Sequence, residues 1–264
     1  MVKHCAIIVI RRQIHMQDRI NQSAIKYYKS CCFKYFLKYE LGLVVPQKIL
    51  PLVFGKSFHT AIELYEKGIP LEETFRKEFT ADQIQEEERA SFEDDIKDGI
   101  ALLNKYAEKK EYIEKVYNLK AKSSETFFNE YFTNPATGKR SSIPFSGVID
   151  RITITDDLVD FKTSSSKYQK EDVDIAIQAT MYSFYQYQKT KKNPIKFTYV
   201  VFIKGRKDPQ IQIIQTTRST KDYPVLFEDI ENLIKEVQNK RFDPKPSYQC
   251  LYCEFKSICP YAKK

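Results

Sequence analysis

Two stretches of the chain carry carboxylates where a strand pattern calls for apolar side chains. In "SGVIDRITI" (146–154), Asp150 shares a face with Ser146, Val148, Ile152 and Ile154, because side chains alternate along a strand. In "LVDFKT" (158–163), Asp160 and Lys162 are two residues apart and so share one face as well. A carboxylate on an apolar face costs several kcal/mol to bury unless its charge is compensated. Two such groups beside a lysine offer hard oxygen ligands to a divalent cation and leave the lysine to hold or deprotonate a water next to it. The same three residues would also make a buried ion-pair trio.

The turn between the strands decides whether the two faces coincide. A three-residue loop of Thr155, Asp156 and Asp157 pairs Ile154 with Leu158, setting Asp150 opposite Lys162 and Asp160 opposite Ile152. All three charges then lie on one side, whereas a two-residue loop sends them to opposite faces. The three-residue register gives each charge a partner and is the one expected.

Other polar residues sit where they could join this group. His59 lies at the edge of the apolar stripe of "FGKSFHTAIELYEKG" (54–68), one turn after Gly55, whose small size admits close backbone approach. Gln178 and Tyr182, four apart in "QATMY", present side by side on a helix. At the C-terminal end, Cys250, Cys253 and Cys259 are spaced C-x2-C-x5-C, which suits a metal but supplies only three ligands. The remaining cysteines are Cys5, Cys31 and Cys32. Six cysteines in 264 residues are too sparse for a disulfide scaffold and fit metal binding in a reducing compartment.

The elements that must position these residues follow from periodicity. Residues 24–40, 54–68 and 81–117 read as helices, the first ending at Gly42 and the second at Gly68. The pattern then changes to period two over 124–132, 143–155 and 158–163. A helix over 172–190, strands near 195–203 and 210–217, and a last helix over 221–240 precede the cysteines. This order describes an α/β or α+β core with a helical lobe in front of it, and with no linker or repeat it reads as one domain.

The formal charge is +8, from 43 basic and 35 acidic residues, which favours a polyanionic partner without requiring one. The basic stretches "KTKKN" (189–193) and "KGRKD" (204–208) could follow a phosphate backbone or be solvated loops. No run approaches the ~20 apolar residues that span a bilayer, and "CAIIVI" (5–10) reads as a strand or ordered tail. The chain is expected to be soluble and intracellular: cytoplasmic in a prokaryote, inside the host cell for a virus.

Taken in order, the motifs "FGKSFHTAIE", "GVIDR", "VDFKT", "QATMY" and the terminal cysteines resemble the RecB-like nucleases of the PD-(D/E)XK superfamily. The resemblance is to the branch carrying an iron–sulfur cluster, which includes CRISPR-associated adaptation nucleases and the nuclease domains of AddAB-type helicase–nucleases. It spans residues 23–260. It implies a restriction-endonuclease-like core with a mixed central sheet flanked by helices. A helical lobe would cover about 23–120, the catalytic sheet 121–220, and a last helix with the cluster cysteines 221–264.

The resemblance also implies roles. His59, Asp150, Asp160 and the backbone carbonyl of Phe161 would hold Mg²⁺ or Mn²⁺, and Lys162 would orient and activate the attacking water. Gln178 and Tyr182 would position lysine, metal or DNA, with Glu130 as a supporting acid. In "YKSCCFKYFLKY", Cys31 falls at the family's fourth cysteine, with Cys32 as the alternative. Cys31, Cys250, Cys253 and Cys259 would then hold a 4Fe-4S cluster; the same four would also make a closed zinc site. Closing a loop of more than 200 residues costs roughly 5 kcal/mol of chain entropy, and a structural metal returns on the order of 10 kcal/mol.

The expected function is a metal-dependent DNA nuclease, an exonuclease acting on single strands or duplex ends, with a helicase or CRISPR integrase as possible partner and no membrane. Recombination, repair, viral replication and CRISPR adaptation would each accommodate it. The alternatives are a non-catalytic, cluster-stapled DNA-binding subunit and a zinc-stapled RNA-processing enzyme.

Overall fold

The computed structural model describes residues 8–9, 18–45, 49–205 and 208–262. Cys5 and all of "CAIIVI" except Ile8–Val9 lie outside the described residues, as do Arg206 and Lys207. In chain order the elements begin with β1 (Ile8–Val9), β2 (Ile20–Asn21), α1 (Gln22–Ser30), α2 (Cys32–Tyr35) and a π-helical turn (Phe36–Glu40). Next come β3 (Leu43–Val44), α3 (Leu50–Tyr65), α4 (Leu71–Glu78), α5 (Phe92–Tyr117) and β4 (Ala121–Glu130). The remainder is β5 (Phe145–Thr153), β6 (Leu158–Ser164), α6 (Lys170–Asp174), α7 (Ile177–Thr190), β7 (Ile195–Ile203), β8 (Gln210–Arg218) and α8 (Tyr223–Gln238). The architecture is mixed α/β, with a mixed sheet flanked by helices.

The chain divides into two compact units. One comprises Met1–Pro46, Phe128–Gly147 and Pro224–Lys264; the other comprises Gln47–Phe127 and Val148–Tyr223. In the second unit, β5 pairs antiparallel with β6, β6 parallel with β7, and β7 antiparallel with β8. Alternation along β6 sends Val159 and Phe161 into a core with Phe54 and Phe58 of α3, Phe75 of α4, Leu102, Leu103 and Tyr106 of α5, and Phe202 of β7. Gly99 is what lets α5 approach α4, since a Cβ there would enter the Phe75 ring. At Gly55 a Cβ would only touch Thr163 Oγ1, at 3.4 Å, so the close approach expected there is not a tight one.

Opposite Asp150 on the pleat, Arg151 is 1% exposed and enters the same helical core. Its guanidinium donates to Glu114 Oε1 at 2.9 Å, to Glu66, to the Leu119 carbonyl at 3.2 Å and to the Tyr106 hydroxyl at 3.3 Å. It also lies 5.1 Å from the centre of the Phe161 ring. Removing one member of a buried charge network leaves the others uncompensated. Arg151→Ala is therefore expected to lower stability by about 3 kcal/mol, the low end for such a loss, because Lys110 stays within 3.7 Å of Glu66 and 3.8 Å of Glu114. Urea unfolding measures this, and a loss below a third of that size would remove Arg151 as a fastening of β5.

In the first unit, β2 runs parallel to the start of β5, pairing Ile20 with Phe145 and Asn21 with Ser146. Asn21 caps α1, its side chain accepting from Ala24 N at 2.8 Å. The C-terminal segment returns to α1 and α2. Tyr28 donates to the Arg241 carbonyl at 2.8 Å, Tyr35 stacks on Phe242, and Phe33 meets Tyr261 edge-on at 5.0 Å. Glu254 accepts from the Tyr27 hydroxyl and from Lys38 at 3.1 Å.

Several element boundaries differ from expectation. The helix expected over 24–40 is broken at Cys31, whose φ and ψ of −161° and 114° are extended. The helix expected over 172–190 is two pieces, interrupted at Ile175 and Ala176. Residues 81–117 open with two short 3-10 turns before α5, and α4 was not expected at all, its eight residues being too short for a periodic signal.

Candidate functional site

The β5–β6 hairpin sets the catalytic candidates, and its loop has the expected length one residue earlier in the chain. Thr153 N donates to the Asp157 carbonyl at 2.8 Å, and the three residues between them end on Asp156 with φ of 59°. A type I turn closed by a left-handed residue suits an aspartate, and Asp157 anchors it by accepting from Thr155 Oγ1 and Lys196 N. The register is Ile152 with Leu158 and Arg151 with Val159, two positions from the Ile154–Leu158 pairing expected. A shift of two preserves parity, so Asp150 and Asp160 still share a face. They now meet each other across the strands, rather than Asp150 facing Lys162.

Asp160 is 1% exposed. Its Oδ1 accepts from Gln178 Nε2 of α7 at 2.5 Å. Its Oδ2 lies 2.6 Å from Lys162 Nζ, a close charge-assisted contact. Asp150 Oδ2 accepts from Phe161 N at 2.7 Å, and His59 Nδ1 of α3 lies 3.4 Å from the same oxygen. His59 also hydrogen-bonds the Phe161 carbonyl, and Gln178 reaches the Tyr182 hydroxyl. The second unit thus brings together His59, Asp150, Asp160, Phe161, Lys162, Gln178 and Tyr182.

The charges oppose one another as placed. Burial, then the neighbouring Asp160, pushes the Asp150 carboxyl well above its ordinary range. Burial alone would lower Lys162, but the carboxylates of Asp160 and Asp150 outweigh it and hold the ammonium charged. Burial and the Lys162 charge lower His59, which favours the neutral imidazole and a free nitrogen lone pair. Tyr182 is raised by burial and by Asp160, so it stays a hydrogen-bond donor.

Glu130, expected as a supporting acid, lies in the segment Phe128–Gly147 of the first unit. Within the second unit, Glu125 is a further acid whose charge is felt at Asp150. Burial and Glu63 push its carboxyl up to about 7, and its charge in turn raises Asp150. Its φ of 48° is left-handed, a conformation glutamate rarely takes within a strand, and no sequence pattern announces it. A folded-state pKa raised from 4.5 to about 7 contributes stability below the lower value and loses it as pH rises through the upper. Glu125→Gln should therefore raise the melting temperature relative to the parent at pH 8 and leave it unchanged at pH 4. Thermal scans at the two pH values test this, and equal shifts at both would exclude the titration.

The cysteines form a second constellation, wholly within the first unit. Cys31, Cys250, Cys253 and Cys259 line one cavity of about 60 Å³ with Lys34, Phe255 and their neighbours. Lys245 N donates to Cys31 Sγ at 3.5 Å and Ser247 N to Cys250 Sγ at 3.4 Å. Cys32 is buried elsewhere, its thiol directed at the Tyr28 carbonyl at 3.5 Å. The break at Cys31 separates the two, since an unbroken helix would turn adjacent side chains only 100° apart. None of the described cysteines is in a disulfide.

The described lysines of the basic stretches have neighbours within the protein. Lys192 pairs with Asp157 at 2.6 Å, Lys191 lies over Tyr187, and Lys189 lies over Tyr185. Lys204 pairs with Asp95 at 2.5 Å and covers the Phe54 ring.

A buried carboxylate on Asp160 and a mostly buried one on Asp150, beside a neutral imidazole, form a donor set suited to a hard divalent cation. The four-thiol cavity with backbone N–H groups aimed at sulfur suits a soft one. Among the described residues, no three His, Cys, Asp or Glu groups are drawn close enough to hold a metal ion as placed.

A mixed sheet flanked by helices, with two carboxylates and a lysine on adjacent strands, is consistent with the restriction-endonuclease-like fold. The family model for the PD-(D/E)XK nuclease superfamily matches residues 19–260, and the chain belongs to that superfamily. Nucleases of this superfamily typically use Mg²⁺ or Mn²⁺ and act on DNA. Among solved structures, the chain is similar to a protein of Eubacterium rectale named as a candidate exonuclease. That match has a TM-score of 0.60 at 15% identity and covers 96% of this chain and 92% of that one. At such identity it supports the fold alone. A second structure, SSO0001, matches with a TM-score of 0.36 at 15% identity over 88% of this chain and 96% of that one. No curated protein matches the chain in sequence.

Proposed function

We propose that this protein is a DNA exonuclease that hydrolyses phosphodiester bonds on single-stranded DNA or at duplex ends. The observation that carries the reading is the pairing of Asp150 and Asp160 on one face of adjacent strands, with Lys162 Nζ 2.6 Å from Asp160 Oδ2. His59, Asp150, Asp160 and the Phe161 carbonyl would hold Mg²⁺ or Mn²⁺. When bound, the cation stabilises the negative charge that develops on the phosphate during attack by water.

The protein's own groups do the positioning. Gln178 fixes Asp160 in one rotamer, and Phe161 N fixes Asp150. Lys162 is a hydrogen-bond donor beside the carboxylates, placed to hold the attacking water. Neutral His59 brings a ligand without adding positive charge. In the reaction the water oxygen bonds to phosphorus, the bond to the leaving nucleoside oxygen breaks, and that oxygen takes up a proton.

A 4Fe-4S cluster on Cys31, Cys250, Cys253 and Cys259 completes the proposal, with zinc as the competing occupant of the same thiols. The restriction of the tail's cysteines and Cys31 to one cavity supports it. Among the described residues no helix is long and apolar enough to cross a membrane. A helicase or an integrase is the partner class that would supply free strands.

Incubating the protein with end-labelled single- and double-stranded DNA in Mg²⁺ or Mn²⁺ tests the reading. A ladder shortening from one end, absent in Asp160→Asn, is the expected result and gives the polarity. Intact substrate after incubation with cluster-loaded protein would replace the exonuclease with a DNA-binding subunit.

A further inference from the structure

The loop between β6 and α6 puts a second phenol beside the catalytic charges. Tyr168 belongs to none of the motifs that define the site. Its backbone is clamped by Gln212 of β8: Tyr168 N donates to Gln212 Oε1 at 2.8 Å, and Gln212 Nε2 donates to the Tyr168 carbonyl at 3.0 Å. A carboxamide that meets both backbone groups of one residue substitutes for a strand pairing and removes the freedom of that loop position. The Tyr168 ring packs edge-on against Tyr199 at 6.0 Å, and Tyr199 is the β7 partner of Asp160 in the strand register.

The hydroxyl is the informative atom. Tyr199 shares a sheet face with Asp160 across the β6–β7 pairing, so the ring that leans on it lies on the side of the sheet carrying Asp160 and Lys162, and both charges act on the phenol. Gln178 donates to the Tyr182 hydroxyl, whereas no hydrogen bond engages the Tyr168 hydroxyl among the described residues, and Tyr168 is half-buried. A clamped backbone, a packed ring and an unengaged donor beside the reacting charges together form a built contact point with no internal partner. Burial and Asp160 keep the phenol protonated, so it offers a donor and no negative charge.

We infer that Tyr168 is a substrate-binding residue whose hydroxyl donates a hydrogen bond to a phosphate oxygen of the DNA strand in the site, with Gln212 as the positioning residue that holds it. This rests on the nuclease reading and names the contact by which the same site grips the backbone of its substrate. The alternative is a ring that merely packs on Tyr199.

Tyr168→Phe separates the two, because it keeps the ring and deletes only the hydroxyl. A single-stranded oligonucleotide is used, with Ca²⁺ replacing Mg²⁺ for binding and Mg²⁺ present for cleavage. Tyr168→Phe is expected to weaken binding and raise KM about tenfold, the scale of a hydrogen bond to a charged group, with kcat within about twofold and an unchanged melting temperature. Gln212→Ala should move KM in the same direction by a smaller factor, since the ring contact remains. Wild-type binding and KM in Tyr168→Phe would overturn the contact, and the nuclease reading would stand if Asp160→Asn still abolished cleavage. A parent protein that binds DNA but never cleaves it, with affinity reduced tenfold by Tyr168→Phe, would sink the nuclease and keep the contact. Equal tenfold losses accompanied by a fall in melting temperature would assign Tyr168 to packing.

Discussion

Asp160→Asn should yield a folded protein whose DNA cleavage is reduced by at least about a thousandfold. The substitution preserves the shape of a side chain that is 1% exposed and keeps an oxygen for Gln178 to donate to. What it removes is the negative charge, and with it the partner of Lys162 and half of the paired carboxylates. Single-turnover cleavage at saturating Mn²⁺ is the measurement, and residual activity above a few per cent would mean that the reaction does not run through this carboxylate.

The same substitution bears on stability, with a sign set by Asp150. A carboxyl whose folded pKa lies well above its ordinary 3.8 contributes stability that is complete below that value. The contribution is lost as pH rises through the folded pKa, because the fold then holds two charges side by side. Metal-free protein should therefore lose stability as pH climbs out of the ordinary carboxylate range, and Asp160→Asn should flatten that loss. Thermal melts in chelator across this range read both effects.

Cys31→Ala and Cys32→Ala should behave oppositely despite being neighbours. Cys31 lines the cavity shared with Cys250, Cys253 and Cys259, while Cys32 is buried at the Tyr28 carbonyl. Removing Cys31 should cost most of the bound iron and several kcal/mol of stability, out of the on the order of 10 kcal/mol a structural site supplies. Removing Cys32 should leave iron content unchanged and cost about 1–2 kcal/mol for a small buried side chain. Iron and sulfide assays with parallel melts decide the pair. Equal iron in the two variants would take the cluster off these ligands, and zinc in place of iron would change its identity.

Much of the sheet was legible because parity is a local property. Asp150, Asp160 and Lys162 share a face whichever way the hairpin loop slips by one residue at each side, so the conclusion survived a register error of two. Hydrophobic alternation also marked β7 over the very residues it occupies, Ile195–Ile203. What did not show was anything decided by tertiary contact. The break at Cys31 lies in a run that reads as continuous helix, and it arises where the returning tail places Lys245 N against the Cys31 sulfur. Glu125 escaped because its influence on the site depends on a left-handed φ that a glutamate gives no warning of. Arg151 read as the tail of a motif, while in the fold it is a buried cation ringed by Glu66, Glu114 and Tyr106. Gly55 was credited with a close approach that Gly99 makes instead.

The docking of the C-terminal segment has a consequence for how the cysteine cavity would be loaded. Glu254 is held by Tyr27 and Lys38, Phe242 by Tyr35, and Tyr261 by Phe33, all without any contribution from sulfur. Ordinary packing thus contributes to closing the long loop between Cys31 and the last three cysteines, whatever the thiols hold. Were the proposed cluster bound there, its removal would leave these contacts to resist opening of the tail, and reloading would resemble the filling of a chelate more than the folding of a tail around its ion.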